Sequence, residues 1–418
     1  MTIYKLAENA NLHIIQESKF KTVRIMVRFR ERLSEKTVAK RVLISNLLET
    51  TNAKYPTSQA FSKRLSELYG TSFSTGVTKK GTQHFLTINM SLVNPKFLDE
   101  DILTSAIDFL KTALFHPDVD KNGFNTEVFR REQSNLIHYL ESMMEDNSYQ
   151  AGRKISELYF DEKTQSLPSV GTVELLKNET AESVYDYFQE MLTTNAIDIF
   201  VLGDVNETAV KSQFVSFKFD HREFDNSFFY TQDLTDFREQ TDEKEAAQSI
   251  LQLAYHLPVK YGDDDYMAVQ LLNGILGAFA HSKLFVNVRE KAQLAYTAHS
   301  YFDSFTGVLS MSMGIDDKNF EQAVKLAKAQ FSDIQAGNFS DEDIRQTKLM
   351  LKNTYFVQQD SPAVLIEQAF TENLFPEAYM STEKFIAALE KTTKADIVKV
   401  ANKIKLQAQY YLKGVGRA

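Results

Sequence analysis

Three runs of alternating apolar residues occur in the first half of this 418-residue chain and return in the same order in the second. Val23, Ile25, Val27 and Phe29 alternate with mostly polar neighbours, the period of a half-buried strand. Leu86, Ile88, Met90 and Leu92 do the same across Thr87, Asn89 and Ser91, and Ile197–Leu202 is a short apolar run closed by Gly203-Asp204. In the second half the matching runs are Leu251, Leu253, Tyr255, Leu257; then Leu309, Met311, Met313, Ile315; then Gln407–Leu412 before Gly414. Corresponding runs lie roughly 210–230 residues apart. The expected class is α+β: two homologous domains, each an antiparallel sheet with helices packed on one face.

Helical patterns fall between the strands. Phe320, Val324, Ala327, Phe331 and Ile334 share a face, and Gly337 suits a C-cap. Ser340 and Asp343 resemble a capping box for a helix reaching Phe356. Phe97–Leu114 turns Ile102, Ala106, Phe109 and Leu110 inward. Residues 217–245 are charged and aperiodic, so the expected division is 1–216, an interdomain linker 217–245, and 246–418.

Composition narrows the function classes. With 43% hydrophobic residues the chain can fill large cores. Its net charge of −9 argues against a nucleic-acid or anionic-membrane surface. It has no Cys, which removes disulfides and thiolate metal sites. No secretory signal and no apolar run of spanning length is visible, so a cytoplasmic protein is expected. There is no G-x-S-x-G elbow and no phosphate-binding loop, and no two of the eight His form an HxH or HxxxH pair.

Two segments carry chemistry. Gly277–Tyr296, GAFAHSKLFVNVREKAQLAY, sets a Gly-containing turn before S-x-L-F, R-E-K and L-A-Y. Leu43–Pro56, LISNLLETTNAKYP, places Asn46, Glu49 and Thr50 near a helix end. Together, and in order along nearly the whole chain, these resemble pitrilysin/insulinase-type zinc peptidases, the group that includes the mitochondrial processing peptidase. The resemblance implies a clam of paired sheets with helices.

It also implies that a catalytic helix has lost its chemistry. The family's zinc helix reads HxxEH. Here Glu49 stands at the general-base position, while Asn46 and Thr50 replace the two zinc His. The third ligand would fall on Tyr139 or Leu140 of the Leu114–Ser148 segment, neither a zinc ligand. A site from His138, Glu141 and Glu49 is the remaining metal option; otherwise Glu49 is a structural residue at a helix end.

By the same resemblance Arg289 and Tyr296 bind the substrate backbone, unless Arg289 merely pairs with Glu290 and Tyr296 is a core residue. A guanidinium and a phenol suit carbonyl oxygens or a terminal carboxylate. Asn273–Ala280 stands where an inactive partner chain has a Gly-rich loop, with only Gly274 and Gly277 present. A peptide is expected to add to a sheet edge, at Leu86–Val93 or near Tyr69–Thr75.

The expected function is a non-catalytic subunit with no cofactor of its own. It binds peptide and pairs with an active zinc homologue that holds the metal, or forms a homodimer. The alternatives are a metallopeptidase with displaced ligands and a purely structural assembly subunit.

Overall fold

Each alternating run is a strand of one of two sheets in the computed structural model, which describes residues 1–416. In the first half the strands are β1 (Thr2–Ala7), β2 (Ala10–Gln16), β3 (Thr22–Arg32), β4 (Ser72–Lys80), β5 (Gln83–Val93), a two-residue hairpin β6 (Val119–Asp120) and β7 (Gly123–Phe124), and β8 (Ala196–Gly203). In the second they are β9 (Arg238–Glu245), β10 (Ser249–His256), β11 (Ala295–Asp303), β12 (Val308–Ile315) and β13 (Lys405–Val415).

The first sheet runs β1-β2-β8-β3-β5-β4 and the second β11-β12-β10-β13-β9. Read from β4 and from β11 the order is the same, with β1 added at the far side of the first. The sheets are not wholly antiparallel: β2 runs parallel to β8, and β9 parallel to β13. In both cases the last strand of the unit inserts between two consecutive strands that run in opposite directions. An inserted strand must then be parallel to one of its neighbours.

In the first sheet the register sets Ile25, Val27 and Phe29 beside Met90, Ile88 and Leu86 on one side and Val201, Ile199 and Ile197 on the other. These residues are buried and form one continuous apolar face. Helix Ile102–Phe115 packs there, its Phe109 ring against Phe61 and Phe73. The opposite face is charged. Asp198 accepts from Arg30 Nε at 3.1 Å and meets His13 Nε2 at 3.0 Å, all three buried. Burial pushes the Asp198 carboxyl up, but His13 and Arg30 outweigh it and hold the group below its ordinary range.

The second sheet buries Leu251, Leu253, Leu309, Met311 and Met313 under helices that include Phe320–Gln335. The Ser340–Asp343 capping box closes as expected, and Gly337 takes the left-handed φ of +76° that ends the preceding helix. The other face of this sheet is also covered. Helix Asn147–Tyr159 presses Ala151, Ile155 and Tyr159 onto Ile250, Ala254, Ala408 and Tyr410.

The expected boundaries therefore move. The first compact unit comprises residues 1–142 and 167–228, and the second comprises 143–166 and the chain from Phe229 onward. Within residues 217–245 the chain passes from the first unit to the second, between Phe228 and Phe229, and the segment is packed. Phe224 and Phe228 lie under the Arg30 guanidinium, 4.9 and 5.5 Å away, and Thr82 donates its N–H to Phe228 O. Arg238–Glu245 is strand β9, polar on both faces and held by backbone pairing with β13. No described helix is long and apolar enough to cross a membrane.

Candidate functional site

The helix that carries Asn46 is Val38–Leu48. It ends before Thr50, so the 46/50 pair straddles a helix terminus instead of lying on one helical face. Thr50 Oγ1 donates to the Asn46 carbonyl at 2.7 Å, which commits the hydroxyl to the helix backbone. Glu49 is exposed, and its Oε2 accepts the Thr75 N–H at 2.8 Å. The third position fares no better: Tyr139 is 55% exposed and Leu140 4%.

An amide, a committed hydroxyl and a phenol or an alkyl chain do not make the nitrogen and carboxylate donor set that zinc requires. The alternative from His138, Glu141 and Glu49 is not assembled either. Glu141 lies 3.8 Å from Lys177, Glu49 is held by Thr75, and no group of three His, Asp or Glu among the described residues could hold a metal ion. These residues do not fit the metal.

The second segment is built differently. Gly274–Ala278 and Leu284–Lys291 are π-helical, a widened turn found often at functional sites. Gly277 is required by close approach, since a Cβ there would sit 2.6 Å from Ser300 N. Gly274 is buried as well, so this stretch is a packed helical segment and not an open Gly-rich loop.

Arg289 and Tyr296 come together. They line one cleft of about 350 Å³ with Glu290, Gln293 and Asp316. The Arg289 guanidinium stacks 4.5 Å over Phe285, and its Nε lies 3.5 Å from Glu290. It is 41% exposed at the side chain, so the Glu290 contact is a surface pair that leaves donors open to solvent. Tyr296 is not a core residue: it is 61% exposed.

A bulge explains that exposure. Ala295 pairs with Ile315 and Thr297 with Gly314, so Tyr296 is the extra residue in β11 and is turned outward. Its Oη donates to Asp316 Oδ1 at 3.1 Å, and that hydrogen bond raises the phenol pKa above its usual value. Asp316 and the left-handed Gln293 (φ 53°) were not singled out from the sequence, and Thr75 entered only as the end of a candidate docking segment. Gly314, opposite the bulge, has no room for a side chain: a Cβ there would meet the Gln248 amide, and Thr297 Oγ1 at 2.9 Å.

The expected docking strand Leu86–Val93 is excluded, because β5 lies between β3 and β4 and both of its sides are paired. The residues near Tyr69–Thr75 run into β4, a true sheet edge.

The comparisons with known proteins agree with the retained fold, and matches among them are described as inactive. Residues 178–351 match the family profile described as "Peptidase M16 inactive domain". A solved structure of a conserved protein from Enterococcus faecalis V583 superposes with a TM-score of 0.96 at 42% identity, covering 100% of this chain and 99% of that one. A "peptidase M16 inactive domain" structure from Pseudomonas fluorescens shares the fold, with a TM-score of 0.81 at 16% identity over 100% and 99%. The "Probable inactive metalloprotease YmfF" of Bacillus subtilis is 32% identical across 96% of this chain and 95% of its own length. The chain thus belongs to the M16 peptidases, the pitrilysin/insulinase-type family, as an inactive, peptidase-like member.

Proposed function

We propose that this chain is a non-catalytic subunit that binds extended peptide and pairs with an active, zinc-holding M16 homologue in the cytoplasm. The observation that carries the reading is the convergence of Arg289 and Tyr296 on one solvent-open cleft. A guanidinium presents a fork of donors and no acceptor, which suits a peptide carbonyl or a terminal carboxylate. Of the two positions expected to hold zinc His, Asn46 offers an amide and Thr50 a hydroxyl already committed to the helix backbone. A chain that recognises peptide without a metal of its own depends on a partner for the cleavage step.

The test has two parts. Elemental mass spectrometry of the chain purified without chelator or tag should give well below one zinc per chain; a value near one overturns the non-catalytic reading. Turnover of a quenched fluorescent peptide library is then measured for the chain, for an active M16 homologue from the same genome, and for both together. Activity should need the homologue and rise on mixing. Arg289→Ala or Tyr296→Phe should lower the mixture's turnover about tenfold, the scale of one charge-assisted hydrogen bond. Unchanged turnover removes both residues from the binding role.

A further inference from the structure

A sheet edge exposes a row of backbone N–H and C=O groups that will pair with any extended chain unless something blunts it. Four strands end the two sheets: β1, β4, β9 and β11. Strand β1 carries a register shift between Lys5 and Ala7, and β11 carries the bulge at Tyr296. Strand β9 is REQTDEKE, charged on both faces. Each of these devices discourages an added strand. Strand β4 has none of them along its middle, pairing with β5 from Ser72 to Lys80 without a register shift. Gly76, at its centre, has open space where a side chain would stand.

What β4 has instead is Glu49. In an antiparallel ladder the N–H groups of successive residues point to alternate sides. The Thr75 N–H donates to a carboxylate from a helix, so it points away from β5, and by the two-residue period Phe73 and Val77 point the same way. Thr75 is thus the central donor of the edge. Its N–H lies 2.8 Å from Glu49 Oε2, and its Oγ1 lies 2.8 Å from the same oxygen and 2.7 Å from the Ser45 carbonyl. Glu49 directly follows the last residue of the Val38–Leu48 helix. A carboxylate is electrostatically disfavoured at a helix C-terminus, where the carbonyl ends concentrate negative charge. Its local helix gives it no reason to be there; the donors on β4 do.

We propose that Glu49 is a built-in plug of the β4 edge. It is an intramolecular acceptor that takes the central N–H of the outward row an incoming strand would use, and it keeps this edge closed to extended peptides until the carboxylate is displaced. The occupant excluded is a peptide in β conformation, so the inference rests on and refines the peptide-binding reading.

The experiment measures binding of one probe, a fluorescein-labelled nine-residue peptide of alternating Thr and Val with Lys at each end, to the full chain. Glu49→Ala should bind it about tenfold to a hundredfold more tightly than wild type, since a charge-assisted competitor is removed. N-methylation of alternate peptide residues should abolish that gain. A folded Glu49→Ala chain that binds no tighter than wild type overturns the plug. If wild-type binding still falls on Arg289→Ala in that case, the cleft reading survives. A gain in Glu49→Ala with no effect of Arg289→Ala on wild type supports the plug and removes the cleft. Should Glu49→Ala not fold, Glu49→Gln gives a second readout. Its neutral amide oxygen is a weaker acceptor, so the Thr75 amide should exchange with deuterium faster than in wild type, and an unchanged rate overturns the proposal.

Discussion

In the first sheet the face away from Phe109 holds His13, Arg30 and Asp198 under the rings of Phe224 and Phe228. In the second the face away from the Phe320–Gln335 helix holds Ile250, Ala254, Ala408 and Tyr410 under Ala151, Ile155 and Tyr159. One strand order thus accepts two opposite ways of closing its second face. The charged solution is interdependent, because each buried ion relies on its neighbours for solvation. The apolar solution is more nearly additive, because each side chain contributes its own buried surface.

Substitutions can break this contrast. The largest effect is expected for Asp198→Ala, which strands Arg30 and His13 without their anion. It should cost about 4 kcal/mol in urea denaturation followed by circular dichroism. Replacing the three together by apolar residues, as His13→Leu, Arg30→Met and Asp198→Leu, should cost far less. Equal losses for the single and triple variants would show that the network is not interdependent. Ile155→Ala, on the apolar side, should cost about 3 kcal/mol, with no rescue available from a second substitution.

Acid sharpens the same contrast with a smaller effect. His84 on β5 is buried, with Nε2 2.9 Å from the Ser169 carbonyl. Burial, and then the nearby Arg41 cation, depress its pKa from 6.5 to about 3. The folded state therefore refuses a proton that the unfolded chain accepts below pH 6.5, and stability falls as pH drops from there toward 3. Between pH 7 and pH 5 this one group should remove about 2 kcal/mol. His84→Gln should flatten the pH dependence of the urea midpoint by that amount. An identical slope in wild type and variant would place the acid sensitivity elsewhere.

How much was readable from the residues differs between the two candidate sites. Around Arg289 and Tyr296 it was the resemblance to the family that implied a shared site, and the π-helical stretch and the bulge bring the two into one cleft. Around Glu49 the sequence offered a choice between a base and a structural residue. The deciding partner, Thr75, lies 26 residues away on another strand, and no local pattern points to it. Asp316 was missed for a similar reason, since its contact with Tyr296 depends on the pairing of β11 with β12.

The sequence by itself determined the elements that bury one face. Period-two runs became β3, β5, β10 and β12, and Ser340 with Asp343 capped its helix, because burial and capping are written in neighbouring residues. Only the tertiary structure decided what depends on distant partners. Strand β9 is polar on both faces and exists through backbone bonds to β13. Helix Asn147–Tyr159 belongs to the second unit because its apolar stripe meets β10 and β13, although it lies in the first half of the chain. Periodicity reports that a face will be buried, and it carries no information about which remote surface will cover it.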